Sequence, residues 1–245
     1  MDTSEYLSGV VDNVLRFIKA ARQAGLDTTV PTCPDWKVSD LALHQGRVFR
    51  WMSALVENES EEFIHPKSLG DPEEDEDPLV WLKTNAEMAV EVFDEANPDA
   101  MVWNWFDNRA APARFWYRRM AHEITIHRAD AEAAAGLESR VEPAELASDG
   151  IDEFLHFLPG RSKDPKFITP SGSYHFHTTD VPGEWLVNFH AQGVAIRREH
   201  AKADVAVRGT ASDLELFLYN RRGSEGLEVF GDEAMVEAWT GKIRF

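Results

Sequence analysis

Residues 118–132 read RRMAHEITIHRADAE, a run with no glycine or proline that is rich in helix-forming side chains. Each residue of an α-helix turns the chain by about 100°, so side chains four positions apart lie on one face. Glu123 and His127 are such a pair, and Asp130 lies three residues further along that side. His122 stands roughly 140° away from His127 and is not expected to reach the same atom. The spacing predicts either two ligands of a metal ion or a carboxylate and an imidazole that bond each other at the edge of the core.

A further histidine lies on a different apolar stripe. The helix predicted over residues 38–56 presents His44 among apolar side chains that recur every three or four positions. Such a histidine is either a core residue bonded to a backbone carbonyl or a metal ligand. With Glu123 and His127 it would complete a site of two histidines and one glutamate, a set with which catalytic zinc keeps one coordination position open.

The first half of the chain has the pattern of four amphipathic helices. The predicted helices cover residues 3–24, 38–56, 79–96 and 112–135. Residues 57–77 carry ten acidic side chains against one lysine, which predicts a solvated loop. Residues 103–106, WNWF, form an aromatic connection that either packs across the end of the helices or lines a ligand pocket. We therefore predict a four-helix bundle over residues 1–142, in which inward side chains of facing helices build a metal site.

The pattern changes after Gly136. The predicted elements are then a helix (143–158), a loop (159–170), four strands (174–178, 185–189, 194–197 and 203–207) and two helices (211–219 and 232–239). Turn residues join the first three strands as antiparallel hairpins. The chain is therefore predicted to be an α+β protein whose second domain, residues 143–245, is small and mixed.

Two histidines of the first predicted strand, His175 and His177, lie on the same face because side chains alternate across a strand. The sequence shows no third partner for them. They are therefore interpreted as surface or interface residues and not as metal ligands.

Composition and charge exclude several classes of function. The chain is 43% hydrophobic and 28% charged, as in ordinary globular proteins, and its net charge of −18 argues against nucleic acid and anionic membrane surfaces. No apolar run approaches the roughly 20 residues of a membrane span, and no signal peptide is evident. One cysteine, Cys33, excludes an intrachain disulfide and favours a cytoplasmic location. Because Cys33 has no positive neighbour closer than Lys37, it is interpreted as structural.

Several stretches together resemble one family, the mycothiol-dependent maleylpyruvate isomerase family, which is built on a DinB-like helical bundle. The matching stretches of the first half are PTCPDW (31–36), LALH (41–44), RMAHE (119–123) and HRADAE (127–132). Those of the second half are Asp180, GEW (183–185), VRGTASDL (207–214) and GLEVFGD (226–232), which are similar to the family's sterol-carrier-like C-terminal domain. The resemblance covers nearly the whole chain.

The resemblance implies functions for particular residues. His44, Glu123 and His127 fall on the family's divalent-metal ligands, and that metal is usually zinc. The family also has an arginine near the end of a C-terminal helix that closes over the site. Arg221 is the first candidate for this role and Arg222 the second, or such a cation simply satisfies the carbonyl groups at the end of the helix.

The implied chemistry is the activation of a low-molecular-weight thiol, mycothiol by resemblance. The thiol would bind at the open position of the metal, lose its proton and attack an electrophilic small molecule. In an isomerase the adduct forms on a cis double bond, rotates and eliminates to the trans acid, whereas in an S-transferase the adduct is the product. An arginine would hold a substrate carboxylate, and Asp130 is either a residue that orients a ligand or a surface carboxylate.

Two other functions stay open at this stage. A metal-dependent hydrolase would use metal-bound water and would turn over without any thiol. A non-catalytic small-molecule carrier would combine an apolar ligand with a structural metal, which needs a closed four-ligand site. The sequence offers no obvious fourth ligand. Two domains that can cover each other are compatible with a monomer.

Overall fold

In the computed structural model of the protein, residues 1–161 and 170–243 are described, and the chain divides into two compact units. The first unit is Met1–Ser139 and the second begins at Arg140. The predicted fold class is confirmed, since a four-helix bundle comes first and a mixed sheet with helices follows. Within the described ranges no helix is long and apolar enough to cross a membrane.

Four long helices build the first unit. They are α1 (Thr3–Ala24), α2 (Val38–Glu57), α3 (Pro78–Glu95) and α4 (Arg114–Ala134). A capping box starts α1, because the Asp2 carboxylate accepts from the Glu5 N–H and the Glu5 carboxylate accepts from the Asp2 N–H. At the other end, Gly25 has a φ of 88°, which a residue with a Cβ rarely adopts. Local capping chemistry therefore fixes helix ends that were expected from the sequence.

The core of the first unit lies between these helices. Each helix contributes a fully buried aromatic side chain: Phe17 (α1), Phe49 (α2), Phe93 (α3) and Trp116 (α4). The apolar residues recur at helical spacing, so one face of each helix turns inward. The packing of α2 against α4 places the inner edge of one helix beside that of the other, which positions the site described below.

Two short hairpins in the first unit were not predicted. β1 (Thr29–Val30) pairs with β2 (Cys33–Lys37), and β3 (Met101–Asn104) pairs with β4 (Arg109–Pro112), both antiparallel. Pro112 was expected in the first turn of the fourth helix, but it ends β4, and the helix begins at Arg114. The carbonyl of Trp103 accepts a hydrogen bond from the Trp116 indole at 2.8 Å, and the Trp103 ring packs on Trp51. Trp103 thus belongs to the core of the bundle.

The described part of the second unit is a five-stranded sheet with three helices. The helices are α5 (Ala144–Arg161), α6 (Ala211–Leu218) and α7 (Glu233–Lys242). The strands are β5 (Gly172–Thr178), β6 (Glu184–His190), β7 (Gly193–Arg197), β8 (Val205–Gly209) and β9 (Glu228–Gly231). Their order is β7-β6-β5-β8-β9, and only the β5–β8 pair is parallel. The predicted β5–β6–β7 hairpins are therefore present, whereas β9 was missed.

The loop predicted over residues 159–170 is wrong at its start. Helix α5 continues through Pro159 to Arg161, because a proline in the last turn removes only one hydrogen bond of the helix. Residues 162–169 lie outside the described residues.

Strand β5 divides its side chains between two faces of the sheet. Tyr174 and Phe176 point into the core of the second unit, where both rings contact the fully buried indole of Trp239. Because neighbours along a strand alternate, His175 and His177 face the other side of the sheet.

Candidate metal centre

His44, Glu123 and His127 lie together where α2 packs against α4. Oε1 of Glu123 is 3.4 Å from Nε2 of His44 and 3.3 Å from Nε2 of His127. One ligand atom from each residue lies within 4.8 Å of the others, and the two imidazole rings meet edge to face at 5.0 Å. The helical spacing of Glu123 and His127 supplies two of the three groups, and helix packing brings the third. These three side chains are called the helical centre below.

The donor set and spacing of the helical centre fit a divalent metal. Two imidazole nitrogens and one carboxylate oxygen are ligands that Zn²⁺ takes in catalytic sites. The separations of 3.3 and 3.4 Å match the roughly 3.4 Å edge of a tetrahedron whose metal–ligand bonds are about 2.1 Å. His44 keeps 34% of its side chain exposed, Glu123 24% and His127 14%. The centre is therefore open on one side, and a small molecule can reach it.

A buried hydrogen-bond chain behind His127 fixes the orientation of its ring. Nδ1 of His127 donates to Oδ2 of Asp130 at 2.9 Å, which turns Nε2 towards Glu123. Asp130 is fully buried, and its Oδ1 accepts from the Thr32 hydroxyl at 2.5 Å. The interpretation of Asp130 as a surface carboxylate is therefore wrong. A carboxylate in this position fixes the tautomer of a ligating histidine and raises its basicity.

Two further residues at the helical centre were given no individual role from the sequence. Arg119, one turn before Glu123 on α4, donates to Oε2 of Glu123 at 3.1 Å and leaves Oε1 to the histidines. The Trp36 ring lies 4.9 Å from that of His44 and stacks over that of His127 at 6.4 Å. The four-residue spacing could have identified Arg119. Trp36 comes from the β1–β2 hairpin, and only the resemblance of residues 31–36 to the family motif pointed to it.

Burial and charge oppose each other in the electrostatics of the centre. Burial raises the pKa of Glu123, but the hydrogen bonds with His127 and His44 and the charge of Arg119 outweigh it and hold this pKa well below its usual range. For His127 the two effects have the opposite signs. Burial lowers its pKa, but the hydrogen bonds to Asp130 and Glu123 outweigh burial and raise the pKa to about 9. A pKa raised in this way favours the protonated ring at neutral pH, so binding of a metal ion through Nε2 would release a proton.

His122 lies on a different face of α4 from the helical centre. Its ring is fully buried and meets Tyr6 of α1 edge to face at 6.1 Å. This separation agrees with the angle predicted between His122 and His127 on the helix.

Arg221 and Arg222 follow α6 in the second unit. Nη1 of Arg221 donates to the Tyr219 carbonyl at 2.8 Å, and Arg222 forms an ion pair with Asp213. Asn220 has a φ of 58°, in the left-handed region that a glycine adopts most readily. The hydrogen bond from Arg221 to a carbonyl group at the helix end is the second of the two alternatives that the sequence analysis left open. A part for either arginine in the reaction stays a prediction.

Family models match both halves of the chain. Residues 7–132 match the mycothiol maleylpyruvate isomerase (MDMPI) N-terminal domain, and residues 145–238 match the MDMPI C-terminal domain. Two solved structures are similar to this chain, one of the mycothiol-dependent maleylpyruvate isomerase and one of a histidine-to-alanine mutant of it. Each is 13% identical, covers 94% of this chain and 93% of its own, and has a TM-score of 0.64, which supports the same fold. Comparison with curated proteins finds no match.

Proposed function

Because the chain belongs to the mycothiol maleylpyruvate isomerase family, a family of enzymes, we propose that it is a metal-dependent enzyme that activates a thiol. The thiol is a low-molecular-weight one, with mycothiol the first candidate, and it adds to an electrophilic small molecule. The reaction is either the cis–trans isomerisation of a maleylpyruvate-type acid or an S-transfer. The observation that carries this proposal is the convergence of His44 and His127 on one oxygen of Glu123, at a place that solvent can reach.

The helical centre is proposed to hold the metal, with Zn²⁺ as the first candidate. When bound there, the ion supplies a Lewis acid with an open position, at which the pKa of a thiol falls. His44 and His127 present their Nε2 atoms to it, and Glu123 contributes the negative charge. Among the described residues the cluster has three ligands, which favours a catalytic site over the closed four-ligand site of a carrier.

The residues around these ligands keep them in position. Asp130 holds the His127 ring by its Nδ1 proton, and Thr32 holds the Asp130 carboxylate. Arg119 occupies one oxygen of Glu123, so the other oxygen faces the histidines. Trp36 packs beside the His44 and His127 rings. Rigid support of this kind makes a ligand set ready to bind before the ion arrives.

A substrate carboxylate needs a cation, and we assign that role to Arg221 first and to Arg222 second. A guanidinium can bind a carboxylate through two parallel hydrogen bonds, which fixes the orientation of the acid. Arg222 is the weaker candidate because its guanidinium already pairs with Asp213.

Incubation of the zinc-loaded protein with mycothiol and maleylpyruvate, or with a panel of other electrophiles, tests the proposal by mass spectrometry. We expect the trans acid or a thiol adduct from the wild-type chain, and neither product from His44→Ala or His127→Ala. His190→Ala, at an exposed position at the end of β6, is the matched control and should behave as the wild type. A hydrolysed product, formed equally well without thiol, would favour the hydrolase alternative instead. Full activity in the metal-free protein would refute the metal centre.

A further inference from the structure

The sheet of the second unit carries a histidine–glutamate group that the proposed reaction does not use. Oε2 of Glu184 lies 2.8 Å from Nδ1 of His200 and 3.6 Å from Nε2 of His175. One ligand atom from each of the three residues lies within 4.8 Å of the others. His177 stands beside them, with its Nδ1 3.6 Å from Oε1 of Glu184. Three imidazoles thus surround one carboxylate.

Strand register brings these residues together from three segments of the chain. Glu184 of β6 is paired directly with His177 of β5, and His175 is two residues away on the same face. His200 follows β7 by three residues, and its ring lies 5.3 Å from that of His175 and 6.3 Å from that of His177. The fold therefore gathers on one face of the sheet side chains that are up to 25 positions apart.

His175 provides an independent sign that a ligand belongs here. Its side chain is only 6% exposed, and its Nε2 has no hydrogen-bond partner among the described residues. A buried polar atom without a partner requires an explanation, and one explanation is a bound ion. The Glu184 oxygen at 3.6 Å is too distant for a hydrogen bond but suitably placed for two ligands of one ion.

We propose that His175, Glu184 and His200 bind a divalent transition-metal ion, with Zn²⁺ as the first candidate and His177 as an additional weak contact. Imidazole nitrogens suit zinc, copper and nickel, whereas calcium and magnesium prefer sites made of oxygen atoms. The three residues are called the strand centre below. The His200 side chain is 79% exposed, so the ion would exchange readily with solvent. When bound, it would link β5, β6 and the segment between β7 and β8.

Zinc titration of the full chain tests this proposal after a chelator has removed all metal. The double variant His44→Ala/His127→Ala lacks the helical centre, and we expect it still to bind one equivalent of zinc. Adding His200→Ala should weaken that binding at least about 100-fold. Loss of a residue that only supports a ligand typically lowers metal affinity by about 10- to 100-fold, and loss of a ligand should lower it more. His190→Ala, which changes another exposed histidine of the same unit, should leave it unchanged. With Co²⁺ in place of Zn²⁺, the double variant should show visible absorption, and this absorption should disappear when His200→Ala is added.

The outcomes separate this proposal from the proposed function. A double variant that binds no zinc, or binds it equally well with and without His200, overturns the strand centre. If the wild type binds a single equivalent that persists in the double variant and vanishes with His200→Ala, the strand centre is supported and the helical centre is refuted. Circular dichroism of each variant identifies any loss caused by unfolding, and His200 is exposed enough for its replacement to leave the fold intact. Retained zinc in a folded His175→Gln variant of the double mutant would also count against the proposal.

Discussion

The two histidine–glutamate groups of this protein, the helical centre and the strand centre, are built in opposite ways. In the helical centre, Glu123 and His127 are one helical turn apart, and a buried carboxylate holds one ring in place. In the strand centre, the glutamate comes from a neighbouring strand and one histidine from an exposed segment after β7. The helical centre is therefore expected to be preorganised and to bind its ion tightly. In the strand centre, the exposed histidine is expected to take up its position only when the ion binds.

The largest effects are expected when the ligands of the helical centre are replaced. His127→Ala and His44→Ala should each weaken zinc binding there at least about 100-fold and abolish thiol-dependent turnover, because two ligands cannot replace three. Measurement of zinc content after dialysis, together with turnover, checks both expectations. Zinc retained by both variants at the wild-type affinity of this centre would remove the basis of the proposed function.

The support behind His127 should have the next largest effect. Asp130→Asn removes the negative charge that holds Nδ1 of His127, and we expect zinc affinity at the helical centre to fall about 10- to 100-fold. Affinity at the strand centre should stay the same, which makes that centre the internal control. Competition with a chromogenic chelator measures both affinities. A variant that is folded and binds zinc as tightly as the wild type would show that preorganisation does not distinguish the two centres.

The pH dependence of zinc binding should also differ between the centres. Because the pKa of His127 is raised to about 9, the ion must displace a proton at neutral pH, and zinc affinity at the helical centre should rise up to about tenfold per pH unit below pH 9. The strand centre should respond less over this range, since burial lowers the pKa of His175. Zinc titrations between about pH 7 and about pH 9, in variants that lack one centre or the other, measure the two slopes. Equal slopes would contradict the prediction.

The stability of the metal-free protein should change in the opposite direction. The pKa of His127 is higher in the folded chain than its unfolded value of about 6.5, so its contribution is complete below about pH 6.5 and is lost as the pH rises through about 9. Thermal denaturation in the presence of a chelator should therefore show falling stability across this range for the wild type. His127→Gln should show a flatter profile, and identical profiles would be evidence against the assigned charge.

The smallest expected effect separates substrate binding from metal binding. Arg221→Lys should raise KM for an acidic substrate about tenfold without changing zinc content, because lysine cannot make two parallel hydrogen bonds to a carboxylate. Arg222→Lys should change KM less, since Arg222 is paired with Asp213. Steady-state kinetics of the two variants distinguish them. If Arg222→Lys has the larger effect, the order of the two candidates is reversed.

The sequence predicted the long helices well because their signals are local. Helix ends are defined without any knowledge of the rest of the chain by the spacing of apolar residues, the caps at Asp2 and Gly25, and a proline, Pro78, at the first helical position. The missed strands are two to five residues long and have too few alternating side chains to show a period of two. Pro112 illustrates the difficulty, since proline suits both the start of a helix and the end of an edge strand.

The same distinction holds for the two centres. The pairing of Glu123 with His127 follows from helix geometry, but Thr32 reaches Asp130 across 98 positions of sequence and left no local sign. His175 and His177 were interpreted as surface or interface residues because no third partner was evident, and Glu184 joins them only through the register of β5 and β6. That interpretation is wrong for His175, which is buried. Contacts set by strand pairing lie beyond what spacing along one segment can reveal.

The position of Trp36 has a practical consequence. Its indole lies 4.9 Å from the His44 ring and 6.4 Å from the His127 ring, so we expect a change of charge on these rings to alter its fluorescence. Subtracting the emission spectrum of Trp36→Phe from that of the wild type isolates this signal from the remaining tryptophans. Trp36 is thus expected to serve as an intrinsic optical reporter, with which binding of the proposed ion at the helical centre can be followed in real time without any label.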